Sequence, residues 1–227
     1  MVDVDSSLST ASTDPLYPSQ WALEYDGVTA EPGAVSADAD IVAPEAWQRT
    51  RGAGGIVAVI DAGVDIAHAD LAANIWSNND EVCGNGLDDD NNGYPDDCAG
   101  WDFINNDSTT EDLNGHGTHV AGIIGAEANN KIGIAGVAYE AQIMPLKIGD
   151  GAPPLSAAIE ALAYAIDNGA RVINASWVSD DPSAASFLQP ALDAAEAAGV
   201  LFITGAGNFG TDIDAEPVFP ASANNPN

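Results

Sequence analysis

The segment Gly55-Ile56-Val57-Ala58-Val59-Ile60-Asp61 constrains this chain more than any other. Its consecutive apolar residues, set between glycine and an acid, leave no polar face for water. They predict a strand buried on both sides, and such a strand needs a covering layer above and below it. Gln142–Ile148, Arg171–Ala175 and Val200–Thr204 read as further strands. Leu155, Ile159, Leu162 and Ile166 recur at helical spacing and stop at Asn168-Gly169. Pro190–Ala198 reads as a helix stopped by Gly199, and another helix should start near His116 and run through Val120, Ile123 and Ile124. A short helix is predicted at Pro44–Arg49, with proline at its first position and Trp47 as an anchor.

Strands alternating with helices predict an α/β fold: three layers, with a mostly parallel twisted sheet and helices on both faces. Residues 1–43 read as an extended arm, which Trp21, Leu23 and Tyr25 would pin to the body, and residues 44–227 as the domain itself. Residues 72–112 read as loop, and Pro220–Asn227 has loop composition. No run of about 18 apolar residues occurs, so no membrane-spanning helix is expected. The start of the chain has neither the basic residues nor the apolar stretch of a signal peptide.

Five Lys+Arg against 35 Asp+Glu give a net charge of −30. A phosphate backbone would be repelled, which excludes nucleic acid as an expected partner. The charge fits either an ordinary acidic protein or a surface built for high salt, where screening relieves self-repulsion. Cys83 and Cys98 are the only cysteines. An isolated pair spanning a short loop reads better as a disulfide than as a zinc site, which would want four ligands. A disulfide implies an oxidising compartment. Either a leader and pro-segment precede this chain or the thiols are free.

Residues with chemical potential lie where the strands end. Asp61 closes its strand; alone it reads as a turn cap before it reads as a catalytic acid. Asn114-Gly115-His116-Gly117-Thr118-His119 places a histidine at a helix start among small residues that permit close approach to the sheet. A nearby carboxylate would fix that ring's tautomer, making Asp61 and His116 the orienting acid and general base of a nucleophilic triad. His119 is expected to pack under the helix, and His68 to be a loop residue. Asn208, after Gly205-Ala206-Gly207, is either a turn residue or an amide aimed at an oxyanion.

Together these motifs resemble the subtilisin family of serine proteases. Val57–Asp65, His116–Gly122 and Gly205–Asn208 carry the likeness, and Gly136–Ala138, Ile143–Lys147, Val172–Trp177 and Phe219–Ala221 agree with it. The resemblance implies a secreted endopeptidase acting on protein or peptide substrates, with Asp61 as triad acid, His116 as base and Asn208 as oxyanion donor. It implies that Ser176, Trp177 and Val178 pair with an extended substrate and that Gly207 lines the pocket beside the scissile bond. Val178 departs from the glycine usual there and would narrow the cleft. The family's nucleophile lies in a Gly-Thr-Ser motif roughly a hundred residues further on, and these 227 residues contain none. The expectation is therefore the first two-thirds of a catalytic domain, inactive by itself, with a pro-segment inhibitor outside this chain. The competing reading is a non-catalytic relative that binds calcium and polypeptide.

Asp88, Asp90, Asn92, Tyr94, Asp96 and Asp97 repeat oxygen donors around Gly93 as the first nine positions of an EF-hand do, Tyr94 offering its carbonyl. The glutamate at the twelfth position is replaced by Ala99, so this reads as a calcium loop of another kind, or else as a solvated acidic loop. Asp-rich insertions beside a segment like Gly100-Trp101-Asp102-Phe103 resemble those of secreted subtilisin relatives, and Cys83–Cys98 would brace the loop. The resemblance also implies a second calcium site clamping the arm, formed by Asp14, Asp70, Ala128, Asn130, Ile132 and Ile134.

Overall fold

A computed structural model describes residues 11–25, 40–150 and 153–223. The remaining parts of the expected arm, and the last four residues of the expected closing loop, lie outside the described residues.

Five parallel strands form one sheet: β1 (Ile56–Asp61), β2 (Trp101–Asp102), β3 (Gln142–Lys147), β4 (Val172–Ala175) and β5 (Leu201–Thr204). Their order across the sheet is β2-β3-β1-β4-β5, which puts β1 at the centre. Helix α1 (Ala43–Trp47) precedes β1. Helix α2 (His116–Gly125) covers one face, and α3 (Leu155–Asp167) and α4 (Ala184–Ala197) cover the other.

Side chains alternate along a strand, so β1 feeds two cores. Ala58 and Ile60 join Met144, Leu146, Ile173, Leu162 and Leu188 beneath α3 and α4. Val57 and Val59 join Ile143, Leu71 and Ala121 on the α2 side. Truncating one such residue, Leu162→Ala for example, costs about 2–5 kcal/mol. The same alternation carries the Asp61 side chain to the α2 side, since it shares parity with Val57 and Val59. A third cluster ties the arm down: Tyr17 and Leu23 pack with Ala43 and Trp47, and Trp47 donates its indole N–H to the carbonyl of Val137 at 2.8 Å.

Four expectations need correction. Helix α4 starts six residues before Pro190, which sits inside it, because an alanine-rich stretch tolerates the lost backbone bond. Residues 72–112 contain the edge strand β2, too short at two residues to show a period. Trp21 does not pin the arm, being 57% exposed, whereas Leu23 and Tyr25 are buried. His119 is exposed rather than packed under α2.

The α2 side of the sheet is only partly covered. Helix α2 lies against β1 and β3. Val172 and Asn174 of β4, and Leu201 and Ile203 paired to them on β5, face that same side. Leu201 and Ile203 are each 45% exposed. Among the described residues β5 is an edge strand with an open apolar face, separated from β1 by β4.

Candidate active site

Asp61 and His116 meet at the carboxyl ends of the strands. The Nδ1 of His116 lies 2.7 Å from Oδ1 of Asp61, with the acid's side chain 4% exposed and the imidazole 55% exposed. The Asp61 Oδ1 also accepts the N–H of Ala62 at 2.8 Å, while its Oδ2 is buried with no hydrogen-bond partner. The approach depends on glycine. A Cβ on Gly117 would stand 2.0 Å from the carbonyl oxygen of Gly63 and 3.1 Å from the Asp61 carboxylate. Gly63, at φ +113°, could carry no side chain either, since a Cβ would meet the carbonyls of Thr110 and Glu111 at 2.6 Å. Two backbone segments and a helix thus converge beside the acid where neither glycine could carry a side chain.

The dyad opens into a cleft of about 490 Å³ lined by Asp61, His116, Ser176, Trp177, Val178 and Asn208, among others. The structure therefore gathers the expected acid, base, oxyanion amide and substrate-facing segment around one space. Gly207 is not on its wall; it adopts φ +89° in the turn that presents Asn208. Ile148, Gly149 and Phe209 also line the cleft and were not singled out from sequence, because nothing local marks a residue as a wall. Among the described residues no hydroxyl is hydrogen-bonded to the imidazole of His116.

The acidic loop is built differently. Glu81, Asp90 and Asp97 bring carboxylate oxygens within 4.8 Å of one another. Asp97 is fully buried and accepts from the Asn78 amide at 2.7 Å, the Asn92 amide at 2.8 Å and the Tyr164 hydroxyl at 2.6 Å. Among the described residues no ion pair reaches this cluster. Three carboxylates this close, with only neutral donors, fit a hard divalent cation in an oxygen cage. The Asn78 and Asn92 amides point nitrogen at the carboxylates, and a half-turn of each would offer oxygen instead.

The predicted ligand set is only partly gathered. Asp90 and Asp97 are in the cluster and Asn92 borders it, but Asp88 is occupied by the N–H groups of Asn92 and Gly93, and Asp96 by those of Gly84, Asn85 and Gly86. The Tyr94 ring packs edge-on against Trp101, Phe103 and Tyr164. Glu81 was missed because it lies outside the repeating Asp pattern and arrives by folding. Cys83 and Cys98 are joined by a disulfide across this loop. Burial, then the hydrogen bond to Asp97, pushes the Tyr164 phenol well above its ordinary value.

At the arm, Asp14 and Asp70 are buried against the loop 128–134. Asp14 accepts the N–H of Asn129 at 2.7 Å and of Lys131 at 2.8 Å; Asp70 accepts the Asn130 amide at 2.8 Å and the Ile134 N–H at 3.0 Å. Gly133 is required there, since a Cβ would lie 2.3 Å from the Asp70 carboxylate.

Comparison with known proteins places these features in a family. The Subtilase family model matches residues 52–226. Thermitase of Thermoactinomyces vulgaris is 36% identical over 185 residues, covering 81% of this chain and 58% of thermitase. The thermophilic serine proteinase of Bacillus sp. (strain AK1) is 38% identical over 175 residues, covering 76% of this chain and 38% of that proteinase. A solved protease structure from Pseudoalteromonas arctica superposes with a TM-score of 0.72 at 26% identity, covering 94% of this chain and 63% of that one. This chain thus spans less than two-thirds of each of these relatives.

Proposed function

We propose a function from one premise: the chain belongs to the subtilase family of serine proteases. On this reading it carries the acid, the base and the oxyanion donor of a serine endopeptidase. With its Nδ1–H donated to Asp61, the His116 ring keeps Nε2 free as a base. It takes the proton of a serine hydroxyl as that oxygen attacks a peptide carbonyl, then returns it to the leaving amine. Asn208 and a backbone N–H stabilise the oxyanion of the tetrahedral intermediate. The substrate lies extended along Ser176-Trp177-Val178.

The attacking serine is assigned to sequence beyond these 227 residues. The open apolar face of β4 and β5, beside the dyad, suits a helix that would carry it. Glu81, Asp90 and Asp97 would hold a calcium ion, which neutralises their repulsion and fixes the loop to α3. A second ion at Asp14, Asp70 and the 128–134 loop would clamp the arm. A secreted protein fits the disulfide and the calcium sites. The observation that carries the reading is the 2.7 Å acid–base contact opening into the cleft that Asn208 also lines.

The test is casein hydrolysis by the natural protein that carries this chain and, separately, by the 227 residues alone. The natural protein is expected to cleave casein and the isolated chain is not. Cleavage by the isolated chain that His116→Ala abolishes would overturn the assignment of the serine. A natural protein that binds peptides and never cleaves them would overturn the protease reading itself.

A further inference from the structure

Helix α2 starts without a cap of its own. Gly115, the residue before His116, has no side chain to offer and stands at φ +86°. The first amides of a helix still require acceptors. Asp112 supplies them. Its Oδ1 accepts the N–H of Asn114 at 3.1 Å and of Gly115 at 2.8 Å. Its Oδ2 accepts the N–H of Thr118 at 2.9 Å and the Thr118 hydroxyl at 2.7 Å. The held groups lie on both sides of His116. The amide of His116 itself goes to Oδ1 of Asn114 at 2.8 Å, and the Asn114 side chain is held by Asp150 at 2.9 Å. Thr118 Oγ1 accepts the N–H of Asp65 at 3.0 Å, tying this turn to the loop that follows Asp61. Partial burial would raise the Asp112 carboxyl, but the bonds from Thr118, Gly115 and Asn114 outweigh it and hold the group below its ordinary value. It is an anion at neutral pH.

We propose that Asp112 is a positioning residue for the proteolytic site: one carboxylate clamps the turn around His116, aims the imidazole at Asp61, and favours the imidazolium that forms during acyl transfer. This rests on the dyad reading above. A helix cap alone would need only the amide of Thr118. Here the same carboxylate also fixes Asn114 and Gly115, and so the angle at which the ring leaves the backbone. The charged groups around this turn are Asp61, Asp65, Glu111, Asp112 and Asp150, together with the Lys147 ammonium, which donates to the Glu111 carbonyl at 2.6 Å and pairs with Asp102; removing Asp112 lowers the negative field at the ring while that cation stays in place.

The experiment is NMR on the isotope-labelled 227-residue chain, which needs no nucleophile. Two signals are read: the far-downfield proton of the His116 Nδ1–H bonded to Asp61, and the pH midpoint of the His116 ring. The unaltered chain is expected to show the downfield proton, and Asp61→Asn to abolish it. Asp112→Asn keeps the size but loses the charge and half of the acceptors. It should weaken the signal and reduce the proton affinity of His116 by about two- to fivefold. Thr118→Val keeps the charge and should weaken the signal without that fall in affinity. A helix cap with no further role would lower the melting temperature and move neither signal; that result would overturn the proposal. If the unaltered chain has no downfield proton and titrates as Asp61→Asn does, the dyad reading fails instead. Should Asp112→Ala not fold, the two near-isosteric variants still decide.

Discussion

The dyad and the acidic loop both bury carboxylates, and they do so by opposite means. Asp61 faces an imidazole that can take up a charge, so its partner lies within the chain and is switchable. Asp97 faces amides and a phenol, with Glu81 and Asp90 at its side, and among the described residues no cationic side chain reaches it. The dyad is held by what is absent: Gly117 has no Cβ to meet the Gly63 carbonyl and the Asp61 carboxylate, and Gly63 none to meet the carbonyls of Thr110 and Glu111. The loop is held by what is added: a disulfide, an aromatic cluster and a ring of oxygens. One region brings backbone close to set an acid against an imidazole, and the other crowds carboxylates that a cation would relieve. Geometry that a single methyl group destroys belongs with chemistry; charge that an ion can restore belongs with stability.

The sharpest separation comes from His116→Ala in the natural protein. It should lower kcat by about 10⁶-fold, as loss of the triad histidine does in subtilisin, with the thermal midpoint little changed. A large fall in stability would mean that the two regions are not independent. Chelation is the reverse test. At a thousandfold excess of calcium over its dissociation constant, binding contributes about 4 kcal/mol. Removing it should lower the melting temperature by roughly 10 °C, while the His116 Nδ1–H resonance persists. Loss of that resonance on chelation would break the distinction.

Asn208→Ala should cost about 100- to 1,000-fold in kcat, with KM little altered. An equal loss in KM would make Asn208 a substrate contact rather than a donor to the oxyanion.

The smallest effects are in pH dependence, and they divide the same way. Asp112 has a depressed folded value, so its contribution is complete above the unfolded carboxylate range near pH 4 and is lost as pH falls through the folded value below it. Tyr164 has a raised folded value, so its contribution is complete below about pH 10 and is lost as pH rises beyond that. Acid below about pH 4 should therefore loosen the turn around His116, and alkali above about pH 10 the packing of Tyr164 against the acidic loop. Amide exchange at Thr118 across the acid limb and at Asn92 across the alkaline limb checks this; a Thr118 amide unmoved by acid, or an Asn92 amide unmoved by alkali, would refute it.

The central strand and both members of the dyad were legible because the determinants are local. An apolar run ending in an acid fixes β1 and the parity of Asp61, and glycines flanking a histidine announce a helix that must come close. The amphipathic period of α3 was equally clear. What escaped was assembled from a distance. Glu81 joins Asp90 and Asp97 only after the disulfide-braced loop has folded back, and Asp112 gains its meaning from the amides of three other residues. The spacing of Asp88 and Asp96 suggests ligands; in the fold both accept backbone N–H groups, while the carboxylates drawn together are Glu81, Asp90 and Asp97. Pro190 hides the first six residues of α4, because proline removes a backbone donor while alanines and tertiary packing carry the helix through it.

The open face of β5 has a consequence for how these 227 residues behave as a colloid. A half-exposed row of Leu201 and Ile203 on an edge strand is a template for another copy. At low ionic strength a net charge of −30 keeps copies apart. Raising salt from about 0.1 to 1 M shortens the screening length from about 10 to about 3 Å. The same screening that eases repulsion within one molecule then removes the guard between molecules. Light scattering by the isolated chain should rise with salt, and Leu201→Lys should suppress the rise. Acidity here is a dispersant whose strength the solvent sets.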